Sequence, residues 1–577
     1  MCGLVVYVLR VSSENDGSEG KVASTCDELD QVFRQVLTGR GQDGWRTVRR
    51  TSHGENKSWM MTVGASTLSL RGGGPDQHVL PREEVSEHGD GALLGWNGEV
   101  FEWTGRSEWE GRGSSGSLGT DENDSDAVLC ALGMARQGDD EDLLTLLDSI
   151  RGPWALVYFD PFRRRLWWGR DRMGRRSLLM NVAAHPDIHG MNRNQQPVRF
   201  WVASVCPLSL QTENVVEVPT NGLWYMDLDT GRVSVIPRAS WSLEVIPERD
   251  PRGAPRHENW ARTSFLPAST RRSGKVFLPM KEAQALERFL SEMCQAVDRR
   301  LVGLGTRGET NIGILFSGGL DSLVLARLAM EQMSSNFLHA SVDLINVSFG
   351  SAPFDSPDRQ SSIQAFQELD KLARIQFCNV KLKLLLVDVS MDEADEKRSE
   401  IAQLIYPCDT PMDHSIRSAL WFASKAHGRN FETGVVETSE TKVLLSGLGA
   451  DELLAGYKGR HRSVHARGGD ASLLQELDAD LSRLWWRNLG RDDRVVSAHN
   501  RELRHPFLDE SLVQLICDIE PRHLFNMTLP DGIGDKMILR RAACCLGLSE
   551  SLSQRPKKAL QFGSNSKKII ESKKERR

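Results

Sequence analysis

Apolar and polar positions change rhythm once along this chain. Through the first 240 residues the apolar runs are short. "GLVVYVL", "MMTVGASTLSL", "GALLGWNGEVFEW", "GPWALVYFD" and "RRLWWGRD" are β-branched or aromatic, are bounded by Gly, Asn or Asp, and predict strands. Two stretches carry a helical period instead: "TCDELDQVFRQVLTG", with Cys26 or Asp27 as its cap, and "DSDAVLCALGMARQG". The Gly/Ser run at 111–119 and the polar stretch at 184–197 read as solvated loop insertions. From Pro247 to Gly274 the chain is rich in Pro, Arg and Gly without a period, which predicts a linker or long excursion. Beyond it "KEAQALERFLSEMCQAVDRRL" is amphipathic, "IGILF" a buried strand, "LVLARLAMEQM" a helix, and "DLINVSF" and "LKLLLVDV" further strands. Strand–helix–strand repetition predicts a parallel α/β sheet. The expected division is a first domain over 1–240, a linker over 241–280, a second domain over 281–565 and a basic tail over 566–577.

Bulk properties narrow the function. A chain of 577 residues holds roughly two to four domains. A net charge of −6 and a pI near 6.2 argue against a nucleic-acid binder, which usually carries a basic footprint. No run approaches the roughly 18 apolar residues of a membrane span. Ten cysteines without a CxxC pair or metal-ligand spacing suit a reducing compartment. The opening "MCGLVVYVLR" lacks the basic flank of a signal peptide, so a cytoplasmic protein is expected.

Three places carry candidate chemistry. Cys2 is small enough to permit removal of Met1, which would leave a thiol beside its own α-amine. That amine has an unperturbed pKa of about 7.7–8.0, so nucleophile and base occupy one residue. In "ILFSGGLDSLVLARL" a strand runs into Ser317-Gly318-Gly319-Leu320-Asp321-Ser322 and then a helix. Glycines permit close backbone approach, the helix start favours an anion, and Asp321 can share Mg²⁺ with phosphate oxygens. The turn is not a Walker-type loop, because it has no GxxxxGK[ST]. "KVLLSGLGADELLAGY" repeats the pattern with Gly447, Gly449 and Asp451. Two such strand ends define one crevice at the carboxyl edge of a parallel sheet. Arg504, Lys536 and Lys557 are cations that could neutralise a leaving pyrophosphate.

Taken in order, these motifs resemble the asparagine synthetase family. "SGGLDS", "SGLGADELLAGY" and "RELRHPFLD" resemble its pyrophosphatase-loop synthetase domain. "MCGLVV", "RGQDG", "WNGEVF", "NDSDAVL" and "GPWALVYFD…LWWGRDRMGRRSL" resemble the class II glutamine amidotransferase domain that precedes it. "SLRG", "DLINVSF", "SPDR", "NLGRDDRV", "TLPDGIGDK" and "QFGS" are similar to the asparagine synthetase domain-containing branch.

The resemblance implies a two-domain α/β protein. It joins an αββα N-terminal-nucleophile (Ntn) hydrolase domain to an α/β ligase domain with a parallel sheet. It implies that Cys2 attacks the carboxamide of glutamine, that Asn97 and Gly98 form the oxyanion hole, and that Glu99 and Asp124 help to bind glutamine. In the family, the released ammonia crosses an internal channel. A carboxylate acceptor, aspartate in the family, attacks the α-phosphate of ATP, and ammonia displaces AMP. "HSIRSAL" resembles the stretch that grips the acceptor, which implies Ser415 and Arg417. ATP, Mg²⁺, glutamine and a carboxylate acceptor are the implied ligands, and the reading leaves room for a homodimer.

Two positions depart from the pattern. The family's Arg-Leu pair for the glutamine carboxylate is replaced by Thr67-Leu68, with Arg71 as the nearest substitute. The glutamate of the family's second loop is Leu448, which can neither hold a proton nor supply charge. That position alone predicts slow formation of asparagine. It also keeps open a different acceptor, or a catalytically weakened relative serving as a scaffold or binding module.

Overall fold

The computed structural model describes residues 3–11, 18–40, 44–53, 58–67, 80–83, 91–104, 123–136, 138–181, 199–211, 214–238, 272, 277, 280–304, 310–408 and 410–567. Cys2, Leu68, Arg71, the 111–119 and 184–197 insertions and the end of the tail lie outside them, as does the 247–274 stretch apart from Arg272. The chain divides into two compact units. The first comprises residues 1–265 with 406–408 and 484–500, and the second the remainder.

Among the described residues, the first unit is built on two antiparallel sheets of six strands each. One holds β1 (Gly3–Val11), β2 (Gly44–His53), β3 (Ser58–Thr67), β10 (Leu179–Asn181), β11 (Arg199–Ala203) and β12 (Val215–Glu217), in the order β12-β10-β11-β1-β3-β2. The other holds β4 (Arg82–Glu83), β5 (Leu93–Gly98), β8 (Trp154–Asp160), β9 (Arg165–Arg170), β13 (Gly222–Asp227) and β14 (Arg232–Pro237), in the order β14-β13-β9-β8-β5-β4. Alternation along the strands makes the core. Val6, Val8, Met61 and Val63 of one sheet pack with Val157, Phe159 and Trp168 of the other. On the opposite face of β1, Tyr7 stacks on Phe33 of helix α1 (Ser18–Leu37) and donates its hydroxyl to Cys26 O at 2.9 Å. Helices α2 (Asp124–Ala135) and α3 (Asp140–Ser149) bury Val128, Leu132, Leu143 and Leu146 against Trp96, Trp154 and Leu156.

Two expectations change here, and one strand comes in that the sequence pattern does not predict. Helix α1 begins at Ser18, so neither Cys26 nor Asp27 caps it; Cys26 is buried one turn before Leu29 and two before Phe33 on the sheet-facing stripe. The predicted strand "GALLGWNGEVFEW" ends at Gly98. It resumes only as β6 (Glu102–Trp103), which pairs with β7 (Ile150–Arg151). Strand β2 gave little signal, because "GWRTVRRTSH" lies at a sheet edge and its arginines serve an edge strand.

Residues 484–500 enter the first unit with a π-helical turn, Trp485–Leu489, and then a helix, Gly490–Ser497. Asp493 accepts from Arg40 at 2.6 Å and from Ser177 N–H at 3.0 Å, with Arg176 at 3.5 Å. Glu217 pairs with Arg494 at 2.6 Å and Arg170 at 3.1 Å. All six charged side chains are buried.

Among the described residues, the second unit carries a sheet of seven strands. These are β15 (Thr310–Leu315), β16 (Ala340–Phe349), β17 (Val380–Val389), β18 (His427–Asn430), β19 (Val436–Thr438), β20 (Val443–Leu445) and β21 (Glu502–Arg504), in the order β19-β18-β17-β16-β15-β20-β21. The pairings among β17, β16, β15, β20 and β21 are parallel, and β18 and β19 add an antiparallel edge. Strand β16 is buried along its whole length, and its buried polar side chains Ser341, Asp343, Asn346 and Ser348 are hydrogen-bonded. Helices α4 (Glu282–Arg299), α5 (Leu320–Asn336), α6 (Pro357–Gln376) and α7 (Pro411–Lys425) belong to this unit. The chain winds from β15 through β16 to β17 and returns to the other side of β15 as β20. The switch point therefore lies between β15 and β20, where open α/β sheets bind ligands.

Candidate active site

The turns after β15 and β20 meet at that switch point. Gly318 has φ +69°, and a Cβ there would overlap the Ser361–Ser362 peptide of α6; Gly449 has φ +102°. Only glycine holds these conformations without strain, so each turn can bring its backbone to a ligand. Within the first turn Gly319 N–H donates to Ser317 Oγ at 3.2 Å, and Ser322 Oγ donates to Gly319 O at 3.1 Å. Asp321 stands in the first turn of α5 and Asp451 in the short helix Ala450–Leu453.

Lysines join the two carboxylates. Lys536 Nζ lies 2.6 Å from Asp321 Oδ2 and 2.7 Å from Asp451 Oδ1, and Lys557 Nζ pairs with Asp451 Oδ2. Lys536 reaches them from a left-handed backbone (φ 50°, ψ 35°), a conformation that costs a non-glycine residue about 1–3 kcal/mol and gathers at functional sites. Burial pushes the Lys557 ammonium down to about 8, against the pull of Asp321. Lys557 also sits 4.3 Å from the ring centre of Tyr457, whose hydroxyl donates to Glu452 at 2.5 Å. Burial raises the proton affinity of Glu452, and the Tyr457 hydrogen bond opposes that rise. Two carboxylates and two ammonium groups balance in charge. Incoming phosphates can therefore draw the lysines while the carboxylates turn to a cation.

Gly456, Tyr457 and Arg555 were not singled out by sequence. A Cβ at Gly456 would overlap Asp451 Oδ1 and Lys536 Cε, and Arg555 donates to Gly318 O at 2.6 Å and Ser361 O at 3.1 Å. Among so many basic residues nothing but position distinguishes Arg555. Arg504, by contrast, is spent inside the fold: it donates to Glu502 at 2.7 Å and to the carbonyls of Arg300 and Val302 at 2.7 and 2.6 Å. It is not a phosphate ligand. Leu448 is half-buried in the second turn, with its N–H on Ser446 Oγ at 3.2 Å. Ser415 and Arg417 are both buried on α7, and Ser415 Oγ lies 3.1 Å from Ser566 Oγ.

In the first unit the predicted glutamine-site residues gather where β5 ends. Asn97 is buried, Gly98 closes the strand, and Glu99 N–H donates to Pro153 O at 2.9 Å. Asp124 opens α2 behind the Asn123 cap and accepts from Val100 N–H at 2.7 Å, which ties the helix start to the Asn97–Glu99 turn. Gly3, next to Cys2, donates its N–H to Ser66 Oγ at 2.9 Å. Thr67, at the departed arginine position, is buried and accepts from Leu80 N–H at 3.2 Å.

Comparison with known proteins agrees with the synthetase half. A family model described as asparagine synthase matches residues 289–482 and 467–575. The chain is 31% identical to asparagine synthetase domain-containing protein 1 of Homo sapiens over 88% of each chain. It is 28% identical to the Gallus gallus protein of that name, over 99% of this chain and 97% of the other. Identity to the glutamine-hydrolyzing asparagine synthetase of Mus musculus is 25%, over 45% of this chain and 41% of that one. Among the described residues no helix is long and apolar enough to cross a membrane. The chain belongs to the asparagine synthetase family, in its domain-containing branch.

Proposed function

We propose that this protein is a glutamine-hydrolysing, ATP-dependent amide ligase of asparagine synthetase type, with aspartate as its acceptor. The observation that carries the proposal is the Asp321–Lys536–Asp451 bridge with Lys557 beside it, at the switch point of a parallel sheet. The first unit would then be the Ntn-type glutaminase. Cys2 would attack the glutamine carboxamide, Asn97 and Gly98 would stabilise the oxyanion, and Asp124, Glu99 and Arg71 would hold the amino-acid end.

In the second unit the two glycine turns would receive the triphosphate, with Ser317, Ser322 and the backbone at Gly318, Gly319, Gly447 and Gly449 as donors. Lys536 and Lys557 would take up the charge of the departing pyrophosphate. Ser415 and Arg417 would hold the acceptor so that its free carboxylate meets the α-phosphate.

Mg²⁺ takes one or two carboxylates and completes its shell with phosphates and water. Asp321 and Asp451 fit that donor set; among the described residues no group of three or more His, Cys, Asp or Glu side chains could hold a metal alone. When bound, the ion supplies charge neutralisation at the phosphates. Half-buried Leu448 favours a second reading, the same chemistry on a less polar carboxylate.

The test is acceptor-dependent exchange of labelled pyrophosphate into ATP, scanned over carboxylates, with the amide product identified by mass spectrometry. Exchange with aspartate and formation of asparagine are expected. Absence of exchange with every carboxylate would reject the ligase reading.

A further inference from the structure

Asp358 is a largely buried carboxylate on α6 that the chemistry described so far does not use. It stands in the first turn of α6 at 7% exposure. Among the described residues its carboxylate has neither a hydrogen-bond donor nor an ion-pair partner. The adjacent Arg359 is engaged elsewhere, donating to Asn346 at 2.7 Å, Asp388 at 2.6 Å and Val387 O at 3.1 Å. With no donor on them among the described residues, the Asp358 oxygens reach water, so a proton can enter and leave there.

The surroundings of Asp358 connect the two halves of the proposed ligase site. One turn further along α6, the Ser361–Ser362 peptide packs against Gly318, and Arg555 bridges Ser361 O to Gly318 O. On its other side the carboxylate lies against Gly563, where a Cβ would overlap both of its oxygens. The chain continues from Gly563 to Ser564, whose carbonyl accepts from Phe349 N–H at 3.0 Å, and to Ser566 beside Ser415. Asp358 thus stands on the line of contacts running from the phosphate turn to the acceptor helix. Burial pushes its carboxyl up to about 7, against Lys558 and Arg555, the charged groups that act on it. A carboxyl poised there can exchange a proton near neutrality.

We infer that Asp358 is the proton acceptor of the amide-forming step, in place of the glutamate that Leu448 has replaced. The inference rests on the ligase reading. Ammonia attacks the acyl-adenylate carbon, the C–N bond forms as the bond from that carbon to the phosphate oxygen breaks, and AMP leaves. The extra proton on nitrogen passes to the Asp358 carboxylate, leaving a neutral amide and a neutral carboxyl.

The experiment compares wild type with Asp358→Asn in the full chain. It measures aspartate-dependent pyrophosphate exchange and ammonia-dependent asparagine formation separately. Exchange should persist while amide formation falls by about 10²- to 10⁴-fold. Adding Leu448→Glu to Asp358→Asn should restore part of the loss. Amide formation at the wild-type rate in Asp358→Asn would overturn the inference, as would a parallel loss of exchange and amide formation, which marks a structural role. Should wild type show no exchange with any carboxylate, the ligase reading itself falls. Should exchange be present and only the Asn variant behave as wild type, that reading stands without Asp358.

Discussion

Asp321 and Asp451 follow different strands, yet both ion-pair with the same ammonium group: Lys536 Nζ is 2.6 Å from one and 2.7 Å from the other. The shared lysine fixes the distance between two carboxylates that would otherwise repel. On the proposed reading the pair would bind Mg-ATP together. Asp321→Asn should lower Mg-ATP affinity about 10- to 100-fold, some 1.4–2.7 kcal/mol, with the far-ultraviolet circular dichroism unchanged. Calorimetry giving equal affinities for variant and wild type would reject the assignment.

Lys557 supplies a pH signature. Its ammonium is held down to about 8, against the ordinary lysine value of about 10.4. Charge for the phosphates is therefore present below pH 8 and fades above it. The KM for ATP should rise between pH 8 and 9.5, and Lys557→Arg, which keeps its charge throughout, should flatten that rise. The stability effect has the opposite sense. A depressed lysine favours the fold increasingly as pH climbs from 8 towards the unfolded value, because the unfolded chain still binds the proton there.

Gly456 tests the geometry without touching a charge. An alanine Cβ would overlap Asp451 Oδ1 and Lys536 Cε, so the bridge must open. Gly456→Ala should weaken nucleotide binding at least tenfold and cost about 1–3 kcal/mol of stability. An unchanged ATP titration would show that the bridge is not part of the site.

How much of this was legible in the sequence depended on how local each feature is. The strand–turn–helix at Ser317–Ser322 and its partner at Ser446–Glu452 could be read because glycines, carboxylate and apolar run are contiguous. The entry of residues 484–500 into the first unit could not be, since nothing in "WWRNLGRDDRVVS" reveals that Asp493 meets Arg40. The start of α1 was missed because residues 18–25 lack a strong apolar stripe. Asp358 sits in the legible motif "SPDR", but its depth and lack of a partner are tertiary facts. The reverse holds for Cys2, which sequence alone nominates.

That nomination is testable. Cys2→Ala should abolish glutamate release from glutamine while leaving the ammonia-dependent reaction intact. Undiminished glutaminase in the purified variant, or a mature protein that retains Met1, would refute it.

The Arg40–Asp493 pair carries the last prediction. Both side chains are almost fully buried, and Asp493 also receives Ser177 N–H with Arg176 nearby. Burial opposes ionisation of Asp493, but Arg40 and Arg176 outweigh it and hold the carboxyl below its ordinary value. Its proton must therefore be forced on in the native state at a lower pH than in the unfolded chain. The associated stability is present above the unfolded carboxylate range near pH 4 and is lost as the pH falls through the depressed native value. Asp493→Asn removes the charge and leaves Arg40 and Arg176 buried without it. Breaking a buried pair from one side costs about 3–5 kcal/mol, far more than the near-zero value of an exposed pair. Urea unfolding at pH 7 should show that loss in Asp493→Asn, and the gap to wild type should narrow below pH 4. A loss under about 1 kcal/mol, or a gap independent of pH, would mean that residues 484–500 are held by their apolar contacts rather than by this pair.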